Sequence, residues 1–210
     1  MKLYDWPLSP SPRRVRIFLA EKGVDIPRVS IDLSKREQLE AHYRAVNPWC
    51  TVPALELDDG TVISEAMAVC RYLEAAYPEP PLMGRTPTEQ GVIAMWEHRL
   101  EWDGFLAVAE TLRNSAERFA HRALTGPVDF EQIPALVERG RKRIQRFFEI
   151  VDTRASESEF MAGDSYSVAD ITALVSVDFA QRAVEIPLPD EREHAWRWYG
   201  QVSARPSAQA

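Results

Sequence analysis

The sequence predicts a two-domain chain, an α/β domain of order βαβαββα followed by an all-helical domain. Three observations carry that expectation. Strand and helix signals alternate over the first third of the chain, a stretch with four prolines from Pro78 to Pro87 interrupts them, and every strong pattern beyond it is helical. The boundaries follow: 1–78 for the first domain, 79–87 for the linker and 88–210 for the second.

Lys2 to Trp6 reads as a short strand stopped by Pro7. Ser11-Pro12 offers an N-cap and a proline at the first helical position, Val15, Phe18 and Leu19 form an apolar stripe, and Gly23 ends the helix. Val29 to Leu33 alternates as a second strand, and Lys35 to Val46 is weakly helical up to Asn47-Pro48. Pro53 to Leu57 and Thr61 to Ile63 flank the turn Asp58-Asp59-Gly60 as a hairpin. Ala66 to Tyr77 is a helix with Val69, Tyr72, Leu73 and Ala76 on one face. A strand–helix–strand unit implies parallel pairing and the hairpin adds antiparallel strands, so the sheet is small and mixed. In the second domain, Glu89 to Ala120 is one long helix or a kinked pair, followed by helices over Phe130 to Thr153, Ser167 to Val184 and Glu191 to Ser203. Ser167 with Asp170 has the spacing of a capping box.

The 210 residues, 45% of them hydrophobic, suffice for a substantial core. A net charge of −7 argues against a nucleic-acid surface, which needs concentrated Lys and Arg. The basic run Arg139 to Arg146 lies in a helical pattern and reads as a solvated face. The opening MKLYDW lacks the signature of a secretory signal, and no 18 apolar residues run together, so no membrane association is expected. Cys50 and Cys70 stand twenty apart without a second ligand cluster, which disfavours a disulfide scaffold or zinc site and suits a reducing cytoplasm. His42, His98, His121 and His194 lack metal-ligand spacing, so no metal is expected.

Several short motifs fall in a fixed order. They are Leu8-Ser9-Pro10 before Arg13-Arg14-Val15-Arg16, Asn47-Pro48 with Val52-Pro53-Ala54-Leu55, Ser64-Glu65-Ala66, Arg71-Tyr72-Leu73, Ala162-Gly163-Asp164 with Ser167-Val168-Ala169-Asp170, and Arg205-Pro206-Ser207. In this order and spacing the chain resembles the cytosolic glutathione S-transferase family over essentially its whole length, with a serine-type motif at the first helix. The resemblance implies a thioredoxin-like first domain that binds glutathione, a helical-bundle second domain that supplies most of the electrophile pocket, and a homodimer. Glutathione would be the co-substrate, beside a small hydrophobic electrophile.

Ser9 is the candidate catalytic residue. A thiol with a pKa of about 8.5 needs help to ionise near neutrality, and a hydroxyl donor beside a helix N-terminus favours the thiolate. Ser11 and Tyr4 are its rivals; Ser11 sits where a helix cap belongs, and Tyr4 lies earlier on the strand than the tyrosine of tyrosine-type relatives. The resemblance assigns Val52-Pro53 a cis bond whose preceding backbone pairs with the cysteinyl unit of glutathione. It assigns Glu65 and Ala66, at a helix start that attracts carboxylates, to the γ-glutamyl end. Relatives usually carry serine where Ala66 stands, which predicts weaker glutathione binding. The resemblance makes Gln38 and Thr51 further candidate glutathione contacts, and Trp6, Leu8, Trp102 and Phe105 candidates for the electrophile pocket. Cys50 stands too late in the chain for the cysteine of disulfide-exchanging relatives. A non-catalytic module of the stringent-starvation type and a glutathione-dependent isomerase or dehalogenase are the alternatives.

Overall fold

A computed structural model describes residues 1–210, which divide into two compact units. The first comprises Met1–Pro80 with Thr125–Asp129 and Ala210; the second comprises Pro81–Leu124 and Phe130–Gln209.

The first unit is a four-stranded sheet in the order β2-β1-β3-β4. Strand β1 (Lys2–Asp5) pairs in parallel with β2 (Arg28–Ser30) and antiparallel with β3 (Ala54–Glu56), which pairs antiparallel with β4 (Val62–Ser64). The mixed sheet is the expected one. Strand β2 is shorter than the sequence suggests. The Ile31 N–H still reaches the Asp5 carbonyl, but the Asp32 carboxylate then accepts the Ser34 N–H and hydroxyl and turns the chain away. The weakly helical stretch after it resolves into a 3-10 turn (Glu37–Leu39) and a single helical turn, α2 (Ala41–Arg44). The hairpin turn closes with Gly60 at φ 84 and a bond from the Leu57 N–H to the Thr61 carbonyl.

Helix α1 (Pro10–Lys22) buries Val15, Ile17, Phe18 and Leu19 and contacts α3 (Ala66–Ala76). Burying one such side chain contributes about 2 kcal/mol. Its end follows the expectation, with Gly23 in the left-handed region and its N–H on the Ala20 carbonyl. Its start does not. The helix begins at Pro10, so Ser9 is the N-cap, Pro10 the first helical residue and Pro12 the third. The Ser11-Pro12 assignment is therefore two residues late, because the chain holds two Ser-Pro pairs and the earlier one meets the end of the turn.

The second unit opens on α4 (Pro87–Leu100), capped by Thr86, whose hydroxyl accepts the Glu89 N–H while Glu89 takes the Thr86 N–H. The linker's last proline is thus the first helical residue. The long helix is kinked, through a π turn (Glu101–Phe105) between α4 and α5 (Leu106–Ser115). Gly104 sits there against Phe147, where an added Cβ would lie 2.6 Å from the ring. Helix α6 runs Ala135–Glu157 and starts five residues later than expected, because Gln132 and Ile133 hydrogen-bond to the carboxyl end of α5 instead. Helix α7 (Val168–Val184) is buried along most of its length, and α8 (Glu193–Ser203) packs Ala195, Trp198 and Val202 inward. No helix is long and apolar enough to cross a membrane.

The capping box at Ser167 is the centre of this unit. The fully buried Asp170 carboxylate accepts the Ser167 N–H at 3.0 Å, the Ser167 hydroxyl at 3.3 Å, the Met161 N–H at 2.8 Å and the Trp198 Nε1–H at 2.9 Å. Burial nonetheless pushes its pKa up to about 6.

Candidate active site

Ser9 is half-buried, extended at φ −85 and ψ 130, and its N–H bonds the Trp6 carbonyl at 2.9 Å. Its side chain makes no cap bond. An N-cap hydroxyl accepts from the second or third helical N–H; Pro12, the third residue, has none, so the Ser11 N–H is the one helical donor within its reach, and that bond is not made. Pro10 lacks an N–H as well. The first turn of α1 therefore leaves one backbone donor without a helical acceptor, the Ser11 N–H, beside a hydroxyl that the fold does not use as a cap.

The rivals are engaged elsewhere. The Ser11 hydroxyl accepts from Arg14 at 3.3 Å. The Tyr4 hydroxyl donates to Glu56 at 2.7 Å, and burial raises its pKa. Burial pushes Tyr43 further, to about 12, and its hydroxyl donates to the Thr51 carbonyl at 2.6 Å.

The turn before β3 is built around Asn47, which is buried. Its Nδ2 donates to the Thr51 carbonyl at 2.8 Å and to the Thr51 hydroxyl at 3.3 Å, and its Oδ1 accepts the Trp49 N–H. Thr51 is thus held from both ends. In the sequence Asn47 is a motif residue without an assigned role; its signal is an amide side chain directly before a proline. Cys50 is buried at φ 56 with its thiol facing the Pro48 carbonyl, and both cysteines are free thiols. The Val52-Pro53 bond is cis, and the Val52 N–H and C=O take no part in the sheet or the surrounding turns.

Strand β4 then delivers Glu65 as the N-cap of α3, exposed, at φ 71 and ψ 126. Such a conformation in a non-glycine residue carries a cost of about 1–3 kcal/mol and concentrates at functional positions. Ala66 follows as the first helical residue, 2% exposed. The N–H groups of Ala66, Met67 and Ala68 have no acceptor within the helix, the arrangement that suits a carboxylate. Gln38 is buried in the 3-10 turn, and its Oε1 has no partner. Trp6 packs against Tyr4, Ile31, Tyr43, Val52 and Ala54, whereas Leu8 is 83% exposed.

In the second unit, Trp102 is 56% exposed, with the Arg143 guanidinium over its ring and His98 beside it. Phe105 is buried, its ring 5.5 Å from that of Phe179.

Residues 8–76 match the family description "Glutathione S-transferase, N-terminal domain", and residues 119–206 match "Glutathione S-transferase, C-terminal domain". Glutathione S-transferase 2 of Saccharomyces cerevisiae is 37% identical over 212 residues, covering 99% of this chain and 87% of that one. The chain belongs to the glutathione S-transferase family. The crystal structure of Gtt2 from Saccharomyces cerevisiae superposes with a TM-score of 0.90 at 37% identity, over 100% of this chain and 99% of that one. A glutathione S-transferase domain-containing protein of Marinobacter aquaeolei matches equally, with a TM-score of 0.90 at 37% identity over 99% of both chains. A class Gtt2 transferase of Vibrio parahaemolyticus has a TM-score of 0.85 at 34% identity, over 100% of this chain and 96% of that one. The chain is a glutathione transferase, an enzyme rather than a non-catalytic module on the same fold.

Proposed function

We propose that this transferase ionises the glutathione thiol at Ser9 and directs it at a small hydrophobic electrophile. The observation that carries the reading is the Ser9 hydroxyl, an N-cap side chain that makes no cap bond. It donates to the sulfur while the positive end of α1 and the Ser11 N–H add favourable partial charge. The thiol proton leaves to solvent, the thiolate forms a carbon–sulfur bond, and in a substitution the leaving group departs with its electron pair. Burial of Tyr4 and Tyr43 and the engagement of both hydroxyls support Ser9 over a tyrosine.

The remaining assignments place glutathione along the same unit. Val52 offers its backbone N–H and C=O to the cysteinyl unit. The start of α3 receives the γ-glutamyl carboxylate, and the Glu65 carboxylate takes its ammonium group. The unpartnered Oε1 of the buried Gln38, together with Thr51, serves the remainder of the tripeptide. On the first unit, the half-buried Trp6 and the exposed Leu8 supply apolar surface for the electrophile. The enzyme works as a homodimer in the cytoplasm, a compartment consistent with two free cysteines.

Steady-state conjugation of a halonitrobenzene by the wild-type chain and by Ser9→Ala tests the reading. Activity in the first and a large loss of kcat in the second are expected. Full activity in a folded Ser9→Ala contradicts it.

A further inference from the structure

The loop that carries Ser9 has little apolar anchorage of its own. Pro7 and Leu8 are exposed, Ser9 is half-buried, and Trp6 alone packs against the sheet cluster. A polar tie holds it instead. Arg16, two turns into α1, is 6% exposed, and its Nη1 donates to Asp5 Oδ1 at 2.7 Å while its Nη2 donates to the Pro7 carbonyl at 3.0 Å. Asp5, also buried, ends the central strand, and its carbonyl accepts the Ile31 N–H from beyond β2. The Ser9 N–H then closes a turn onto the Trp6 carbonyl. One guanidinium thus links the end of β1, the middle of the loop and the body of α1.

A guanidinium suits this task because its rigid fork reaches two acceptors at once, which an ammonium cannot reproduce with the same geometry. The charges that act on it are Asp5, opposite in sign, and Arg28 and Arg13, both cations. A buried ion pair is a weak source of stability, since desolvation offsets much of the attraction. The placement of this one, reaching the peptide two residues before Ser9, points to position rather than stability.

We infer that Arg16 is a positioning residue for the transferase reaction, setting the place of the Ser9 hydroxyl through the Pro7 carbonyl and Asp5. The inference rests on the reading of Ser9 above. It is tested in the full-length enzyme with Arg16→Lys, Ser9→Ala and the double variant, by kcat against pH, glutathione affinity by calorimetry, and cooperativity of unfolding. Folded Arg16→Lys loses about tenfold in kcat near neutral pH, and its kcat profile moves about one unit alkaline. Glutathione affinity stays within about twofold, and the double variant is no slower than Ser9→Ala, as expected of residues acting through one another. An unchanged kcat and pH profile in folded Arg16→Lys, or losses that multiply in the double variant, overturn the inference. Should Arg16→Lys fail to fold, Asp5→Asn carries the same test, with a loss of about threefold that does not add to Ser9→Ala; an unchanged kcat there overturns it equally. Full activity in Ser9→Ala brings down the underlying reading, and this inference with it. An impaired Ser9→Ala beside a fully active Arg16→Lys removes the role of Arg16 alone.

Discussion

Two serines occupy the same local position, one in each unit, with opposite consequences. Ser167 caps α7, is buried, and is locked to Asp170, which also takes N–H groups from Met161 and Trp198. Ser9 caps α1, is half-buried, and makes no cap bond. The difference is set three residues on, by Asp170 in one helix and Pro12 in the other. An acid at that position ties the hydroxyl into the fold; a proline removes one of the two donors that could have engaged it. The fold therefore engages one serine hydroxyl and leaves the other, the one proposed to act on glutathione, without a cap bond.

The contrast breaks most sharply at Asp170. Asp170→Ala leaves buried donors on Met161, Ser167 and Trp198 unsatisfied, and chemical denaturation should show a loss of about 3 kcal/mol or more. The same group has a signature in pH. Its carboxyl is raised from 3.8 to about 6 in the fold, so it contributes stability below about 4 and loses that contribution as pH rises through about 6. The unfolding free energy of the wild-type chain relative to Asp170→Asn should accordingly fall between pH 4 and pH 6.

Ser9→Ala should do the reverse, lowering kcat about a hundredfold, the scale of losing one donor aimed at developing charge, with a stability change within about 0.5 kcal/mol. Ala66→Ser adds a hydroxyl at the start of α3 and should lower the KM for glutathione by about tenfold, leaving kcat near its original value. The smallest effect belongs to Ser167→Ala, about 1 kcal/mol by denaturation and none on the pH dependence of turnover.

The order of elements, the mixed sheet and the Ser167 capping box were legible in the sequence, because each rests on local signals of periodicity, breakers and caps. The start of α1 is not legible there, since Ser9-Pro10 and Ser11-Pro12 carry the same local signal and only the turn from Trp6 to Ser9 decides between them. The late start of α6 was illegible for a different reason: Gln132 and Ile133 answer the end of α5, a partner distant in sequence. Asn47 and Arg16 were visible as motif letters, but their contacts with Thr51, Asp5 and Pro7 depend on tertiary folding.

The most direct test of the account is the thiol pKa of enzyme-bound glutathione, read from the ultraviolet absorbance of the thiolate in the wild-type chain and in Ser9→Ala. The account predicts a bound thiol below the usual value of about 8.5 in the wild type, rising by about one unit or more in the variant. A bound-thiol pKa that is the same in both would contradict it.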